Sequence, residues 1–121
     1  MIEEPPILTL RRPTRRPSAQ QLAAFADVPT GFVVDAMTGQ EALSHSIRAI
    51  QDDRHVVGSA LTAWNGAGDV LATLAAIHLC QPGDVLVAAV DGARDNAAAG
   101  DRVCGMAKNA GAVALVTDGS I

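Results

Sequence analysis

The fold is decided by residues 84–116, DVLVAAVDGARDNAAAGDRVCGMAKNAGAVALV. VLVAAV, at 85–90, is a continuous apolar run, which is typical of a strand covered on both faces. RVCGMAKNAG, at 102–111, has apolar residues at helical spacing and ends in Gly111, so it predicts a helix with a glycine stop. AVALV, at 112–116, is a second apolar run of strand length. Strand, helix and strand in this order indicate parallel pairing, because parallel strands need a crossover connection.

The same alternation extends upstream. HVVGSALTAW, at 55–64, is β-branched and partly alternating, which predicts a strand in which Gly58 marks a bulge or a close approach. VLATLAAIHLC, at 70–80, predicts a helix, and the QPGD that follows it predicts a tight turn. We therefore expect an α/β fold with a largely parallel sheet. Two short helices are predicted before this unit, at 18–27 with Ser18 as N-cap and at 32–37.

Length and composition limit the number of domains and the class of partner. A chain of 121 residues makes at most one domain, predicted as an irregular arm at 1–17 and an α/β unit at 18–121. The net charge is −4 and aromatic residues make up 2%, so we expect no nucleic-acid partner. The basic cluster RRPTRR, at 11–16, is predicted to be a solvated arm, with phosphate or RNA binding as the alternative.

Cysteine spacing and hydropathy predict the compartment. Cys80 and Cys104 have no metal-ligand or CxxC spacing, so we expect reduced, small buried hydrophobes in a cytoplasmic protein. The acidic start MIEEPPILTL is broken by two prolines and does not resemble a signal peptide. The apolar helical run at 70–80 is roughly half of what spans a bilayer, so no membrane partner is expected.

Most residue types that commonly carry chemistry are scattered. His45, His55 and His78 have no metal-site spacing, and His78 is expected to be a structural histidine with its hydrogen bonds satisfied. The serines lack a nucleophile-elbow context, and no Walker A or dinucleotide motif is present. NGAGD, at 65–69, is a weak glycine loop, for which a plain turn is the favoured interpretation.

The informative segment is the loop between the strand at 85–90 and the helix at 102–111. In α/β sheets, ligands gather beyond the carboxyl ends of strands, and the first turn of a helix offers N–H groups to anions. Gly100 lets a ligand approach the backbone, and Asp101 can hold a hard cation directly or through water. The alternative is that Asp101 only caps the helix. The charged residues of the loop are Asp91, Arg94, Asp95 and Asp101.

Residues 84–119, which extend the quoted stretch by TDG, closely resemble the RraA-like family. VVDAM at 33–37 and VVGSALTAWNGAGDVLATLAAIHLCQPGDVLV at 56–87 follow the same order of segments. The resemblance covers about residues 29–121 and is specific over 81–119. The family includes metal-dependent 4-hydroxy-4-methyl-2-oxoglutarate and 4-carboxy-4-hydroxy-2-oxoadipate aldolases and regulators of ribonuclease activity. It implies a swivelling β/β/α domain, of which this chain would be the N-terminal part.

The resemblance also implies a set of site residues. The carboxylate of a 2-oxo acid would rest on backbone N–H groups around Gly100, Asp101, Arg102 and Val103, with Arg102 contributing only its backbone. Asp101, as catalytic residue, would orient a water on a divalent ion, Mg²⁺ or Mn²⁺, without being a direct ligand. No direct metal ligand is expected within the chain.

In the family, an Arg-Asp pair follows the Gly-Asp motif after twenty residues. Counted from Asp101, that pair would come after Ile121, so we predict that these 121 residues alone are inactive. Arg94 and Asp95 precede Asp101 and cannot be the pair. We expect them to line the site or a subunit contact.

The function implied by the resemblance is a divalent-metal-dependent lyase of the class II pyruvate aldolase type. It would cleave 4-hydroxy-4-methyl-2-oxoglutarate-type 2-oxo acids to pyruvate and would also support oxaloacetate decarboxylation, since metal and arginine stabilise the same enolate. The alternative is a non-catalytic regulator or binding protein that contacts a ribonuclease or another protein. A homo-oligomer, trimer or hexamer, is implied. The physiological substrate and the metal are left open. A third label in the family, demethylmenaquinone methyltransferase, is rejected because no cofactor-binding glycine motif is present.

Overall fold

A computed structural model describes residues 4–51 and 54–121. Residues 4–17 contain no helix or strand, as predicted for the arm, and residues 1–3 of the predicted arm lie outside the described residues. Two short helices precede an alternation of strands and helices, which confirms the predicted α/β class. The elements of the described chain are α1 Ala19–Ala23, α2 Thr30–Ala36, β1 Ser59–Trp64, α3 Leu71–Leu79, β2 Asp84–Ala89, α4 Asp101–Asn109 and β3 Ala114–Thr117.

The three strands form one parallel sheet in the order β1-β2-β3. Leu61 pairs with Leu86, which pairs in turn with Leu115, so apolar side chains form a row across the sheet. Both connections are strand–helix–strand crossovers, which are right-handed in almost all proteins, and the strand order advances in one direction. Both helices therefore lie on one face, where α3 and α4 contact each other. The buried core consists of Leu61, Ala63, Ala76, Ile77, Leu86 and Ala107.

The other face of the sheet is open. Along β2, fully buried residues alternate with half-buried ones, so the prediction of a strand covered on both faces is wrong. Ala60 and Thr62 of β1 are exposed, and Trp64 is 77% exposed. The physical reason is the topology: both crossover helices lie on one face of the sheet, so neither helix covers the opposite face.

Helix α1 starts where the sequence predicts, whereas α2 starts at Thr30, two residues before the predicted range 32–37. Ser18 is the N-cap of α1: its Oγ accepts from Gln21 N at 3.2 Å, and Gln21 Oε1 accepts from Ser18 N at 2.8 Å. This reciprocal pair satisfies two N–H groups at the helix start. Neither α1 nor α2 contains a buried residue, and Phe32 remains 68% exposed.

The basic arm is held to the sheet by one ion pair. Arg16 Nη1 contacts Asp84 Oδ1 at the start of β2, and Asp84 is 1% exposed. Asp84 Oδ2 also accepts from Gln81 N at 2.9 Å. The hydrogen bond to Asp84 raises the pKa of the Arg16 guanidinium above its ordinary value. The prediction of a solvated arm is therefore wrong at Arg16, because a buried carboxylate requires a partner.

Two glycines pack against the predicted tight turn at 81–84. A Cβ at Gly58 would collide with the carbonyl oxygen of Gly83, which confirms the predicted close approach. Gly111 has φ +102°, and its carbonyl accepts from Gly83 N at 3.0 Å. A Cβ at Gly111 would lie 2.7 Å from Pro82 Cα. The glycine stop of α4 is thus both a conformational and a packing requirement.

Gly111→Ala is expected to destabilise the protein by about 2–4 kcal/mol, because it combines left-handed strain with a backbone clash. Gly105→Ala in α4 is the matched control. A Cβ at Gly105 meets nothing within 4 Å, so this change should stabilise by about 0.5–1 kcal/mol through helix propensity. Urea unfolding measures both. Equal effects of the two substitutions would contradict the packing argument.

Candidate functional site

The candidate site lies at the edge of the sheet where the strands have their carboxyl ends. Three loops meet there, at 65–70, 90–100 and 118–120. Trp64 Nε1 donates to Asp91 Oδ1 at 2.9 Å, which connects the end of β1 to the loop after β2. Parallel strands bring their carboxyl ends to one edge, so residues far apart in sequence become neighbours here.

Asn65 anchors the loop after β1 and is buried. Its side-chain Nδ2 donates to Thr73 Oγ1 at 2.8 Å and to Ala89 O at 3.1 Å, and its Oδ1 accepts from Thr73 N at 3.0 Å. Thr73 is completely buried. These bonds attach α3 and the end of β2 to one side chain. The predicted plain turn at 65–69 is therefore confirmed as a turn, with a structural amide that the sequence analysis did not single out.

Asp118 holds the loop after β2. Its Oδ1 accepts from Val90 N at 2.7 Å, and its Oδ2 accepts from Gly92 N at 2.8 Å. The sequence analysis missed this residue, because its partners are 28 and 26 residues away along the chain. The available signal was an aspartate directly after a predicted strand, a residue type that often accepts hydrogen bonds from loop N–H groups.

Helix α4 begins at this edge with open backbone donors. Gly100 is its N-cap and has no side chain to cap it, and Asp101 is the first helical residue. Asp101 Oδ1 accepts from Arg102 N at 2.8 Å. The N–H groups of Asp101 and Val103 have no acceptor among residues 4–51 and 54–121. Asp101 is thus not the N-cap, and two N–H groups remain available to an anion.

The predicted residues of the first turn of α4 lie together, and Arg94 and Asp95 lie in the loop that precedes them. Gly100, Asp101 and Arg102 are exposed, and Val103 is half-buried. The Arg94 carbonyl accepts from Ser120 Oγ at 3.0 Å, and Asp95 is exposed. The predicted functional roles of these residues stay predictions.

The comparisons with known proteins agree with this fold. The sequence model of the RraA-like family, described as Aldolase/RraA, matches residues 30–121. The chain belongs to the RraA-like family. The match includes every strand of the sheet and α2 to α4, and it leaves the arm and α1 outside.

One curated relative adds a comparison with an individual protein. A protein of Halalkalibacterium halodurans, named "Putative 4-hydroxy-4-methyl-2-oxoglutarate aldolase", is 39% identical over 100 residues. The aligned region covers 83% of the RraA-like chain and 48% of the relative. The chain therefore spans about half the length of the curated relative that it matches.

The described residues of the RraA-like chain do not make up a metal site on their own. In residues 4–51 and 54–121, no three His, Cys, Asp or Glu side chains lie close enough to hold a metal ion. Asp101 has one carboxylate oxygen without a protein partner in the same ranges, whereas Asp118 uses both of its oxygens. One oxygen suits contact through a water, but Mg²⁺ requires about six oxygen ligands.

The histidines and cysteines differ from two expectations. His78 is exposed in α3 and its imidazole makes no hydrogen bond within the described ranges, so the prediction of a satisfied structural histidine is wrong. Cys80 and Cys104 are free thiols, but they are half-buried rather than buried. Cys80 is the C-cap of α3, where the helix leaves the core, and burial together with nearby Asp84 raises the pKa of its thiol.

A large apolar cavity lies away from this site. An open space of about 1100 Å³ separates α1 and α2 from the amino ends of β1 and β2. Apolar side chains such as Leu22, Phe25 and Val85 dominate its lining, and His55 Nε2 is bonded to Phe25 O at 3.3 Å. Convergent polar groups mark a ligand site better than volume does, so we place the candidate site at the start of α4.

The helices of residues 4–51 and 54–121 include none with the length and apolar character needed to span a bilayer.

Stability should depend on Asp118 in acid. The hydrogen bonds from Val90 and Gly92 lower the pKa of Asp118 below its ordinary value. The carboxylate therefore stabilises the fold above its unfolded-state pKa of about 3.9, and this contribution is lost as pH falls through the folded-state pKa. We expect Asp118→Asn to remove this part of the pH dependence. Urea unfolding at a series of pH values tests it, and identical slopes would contradict it.

Proposed function

We propose that this RraA-like chain supplies the carboxylate-binding turn of a lyase that cleaves 4-hydroxy-4-methyl-2-oxoglutarate-type 2-oxo acids to pyruvate. The supporting observation is the start of α4, which lies at the carboxyl edge of a parallel sheet with two unpaired N–H groups. The family supports an aldolase in general terms, and the name of the Halalkalibacterium halodurans relative suggests the substrate class.

The first turn of α4 is suited to bind the carboxylate of a 2-oxo acid. The N–H groups of Asp101 and Val103 point out of the helix start, where the helix dipole also favours negative charge. A Cβ at Gly100 would meet nothing within 4 Å, so the space before the turn is open to a ligand. The Arg102 N–H is already bonded to Asp101 Oδ1, which makes it the weakest donor of the predicted set.

A substrate carboxylate bound at this turn would lie close to the carboxylate of Asp101, and the two negative charges need compensation. The Asp101 side chain and a bound carboxylate repel each other unless a proton or a cation lies between them. This repulsion supports the metal dependence that is part of the proposal. A divalent cation, Mg²⁺ or Mn²⁺, would supply Lewis-acid stabilisation of the enolate, with ligands other than the described residues.

Cleavage is a retro-aldol reaction. The C3–C4 bond of the substrate breaks, its electron pair moves to C3 to form a pyruvate enolate, and the proton of the C4 hydroxyl leaves. The free oxygen of Asp101 can hold the water that receives this proton. With 4-hydroxy-4-methyl-2-oxoglutarate, the fragment that contains C4 is released as one pyruvate. Protonation of the enolate at C3 gives the second pyruvate. Loss of CO₂ from oxaloacetate yields the same enolate, so the proposal includes this activity.

Release of pyruvate tests the proposal. The polypeptide that contains this chain should release two pyruvates per 4-hydroxy-4-methyl-2-oxoglutarate with Mg²⁺ or Mn²⁺, lose activity after EDTA treatment, and regain it when the cation is added back. No release with either cation would contradict the lyase, and a pull-down would then test the protein-binding alternative. The same assay on residues 1–121 alone tests their predicted inactivity. We further propose a homo-oligomer, which light scattering measures.

A further inference from the structure

We infer that Asp118 is a positioning residue for the carboxylate-binding turn: together with Ser120, it holds the loop at 90–100 so that α4 starts in register with the edge of the sheet. This inference rests on the proposed function. Within the described residues the Asp118 carboxylate is bonded to Val90 N and Gly92 N and not to Gly100 or Asp101, so it would act through the loop that leads to them.

The first half of the loop is held by the Asp118 carboxylate. Its two oxygens accept from Val90 N and Gly92 N, the two amides that flank Asp91. Asp91 has φ +55°, a left-handed conformation that is uncommon for residues with a side chain but that aspartate adopts more readily than most. Charge-assisted bonds on both sides of this residue fix the direction in which the chain leaves β2.

The second half of the loop is held by Ser120. Ser120 O accepts from Ala98 N at 2.8 Å, and Ser120 Oγ donates to Arg94 O at 3.0 Å. Ala98 and Ala99 are buried directly before the N-cap of α4. The chain that precedes the turn is therefore attached to residue 120 just ahead of Gly100.

Gly119 brings the two halves together. A Cβ there would lie 2.5 Å from Val90 Cγ2 and 2.9 Å from Ala98 Cβ, so any side chain would separate residues 118–120 from the loop. Residues 118–120 thus form one short clamp on both halves of the loop. Loss of this clamp would displace the N–H groups that bind the substrate carboxylate, so the expected effect is weaker substrate binding.

Asp118→Asn tests the inference. The amide retains one acceptor but places an NH₂ group against the second backbone donor, which releases one end of the clamp. We expect KM for pyruvate release to rise about 10-fold or more, with kcat within about 3-fold. The N–H groups of the turn bind the substrate carboxylate equally in the ground state and the transition state, so weakening this contact raises KM and leaves kcat nearly unchanged. Ser120→Ala, a milder variant, should raise KM about 2- to 5-fold.

The matched control is Asp27→Asn. Asp27 is exposed and follows α1, outside the three loops of the candidate site, so the control removes one carboxylate charge without touching residues 90–100. Its KM should stay within 2-fold. Fluorescence of Trp64, the sole tryptophan of the sequence, reports on the loop through its bond to Asp91 and should change only in Asp118→Asn.

A different result separates the two proposals. If Asp118→Asn lowers the maximal rate with KM unchanged, the substitution has only reduced the fraction of enzyme that is folded. Asp118 then has a structural role alone, and the positioning inference is overturned. If KM and kcat are both unchanged in an active enzyme, the inference also fails while the lyase stands. Inactive wild-type protein overturns the proposed function and this inference with it. The Ala98 and Cys104 amides, bonded to Ser120 O and Gly100 O, lie on either side of the turn. Unaltered hydrogen exchange of these two amides in Asp118→Asn would overturn the coupling without any activity measurement.

Discussion

Asp101→Asn is expected to lower kcat for pyruvate release by about 100- to 10,000-fold, the range in which a positioned acid–base group contributes. The amide keeps an oxygen that can accept from Arg102 N, so the helix start should persist. It loses the ability to receive a proton, directly or through a water. KM should change much less, because the backbone N–H groups that would bind the carboxylate are retained.

Steady-state kinetics with 4-hydroxy-4-methyl-2-oxoglutarate measure this effect. Asp27→Asn again serves as control, since it removes one exposed carboxylate outside the loops of the candidate site and should keep kcat within 2-fold. If Asp101→Asn retains more than about a third of the wild-type kcat, Asp101 is not a catalytic residue. The sequence alternative, an aspartate that only stabilises the first turn of the helix, would then be preferred.

Arg16→Ala is expected to destabilise the protein by about 2–3 kcal/mol. It leaves the carboxylate of Asp84, which is 1% exposed, with a hydrogen bond from Gln81 N but no opposite charge. Removing one member of a buried pair costs more than the pair contributes, because the remaining charge stays away from water. The side chain of Arg16 is 23% exposed, so the estimate lies below the roughly 3–5 kcal/mol that breaking a fully buried pair costs.

Urea unfolding of four proteins tests this argument. Arg15→Ala is the control, since Arg15 is exposed and its loss should change stability by less than about 0.5 kcal/mol. Asp84→Asn combined with Arg16→Ala should regain part of the lost stability, because a neutral amide is easier to bury than an unpaired carboxylate. A double variant less stable than Arg16→Ala alone would show that the charge of Asp84 is not the cause.

Much of the fold could be read from short stretches. The apolar run of β2, the helical spacing of α4 and the glycine that ends it each depend on residues that are close in sequence. The predicted helix at 102–111 corresponds to Asp101–Asn109, and the predicted strand at 112–116 to Ala114–Thr117. The boundaries moved by a few residues at most, since local patterns specify the type of an element better than its end points.

The candidate site was predicted only in part. Gly100 and Asp101 were identified because a glycine and an aspartate before a predicted helix have a known physical use. Asp118 and Asn65 were not identified, since their bonds to Val90, Gly92 and Ala89 depend on how adjacent parallel strands end at one edge.

The sequence by itself determined the kinds of elements, their order and the parallel pairing, because periodicity and turn chemistry act between near neighbours. The tertiary structure decided the long-range partners and the burial of each face. Arg16 meets Asp84 across 68 residues, and one face of β2 stays half-open because both crossover helices lie on the other. These outcomes depend on the path of the whole chain, and a local pattern carries no information about that path.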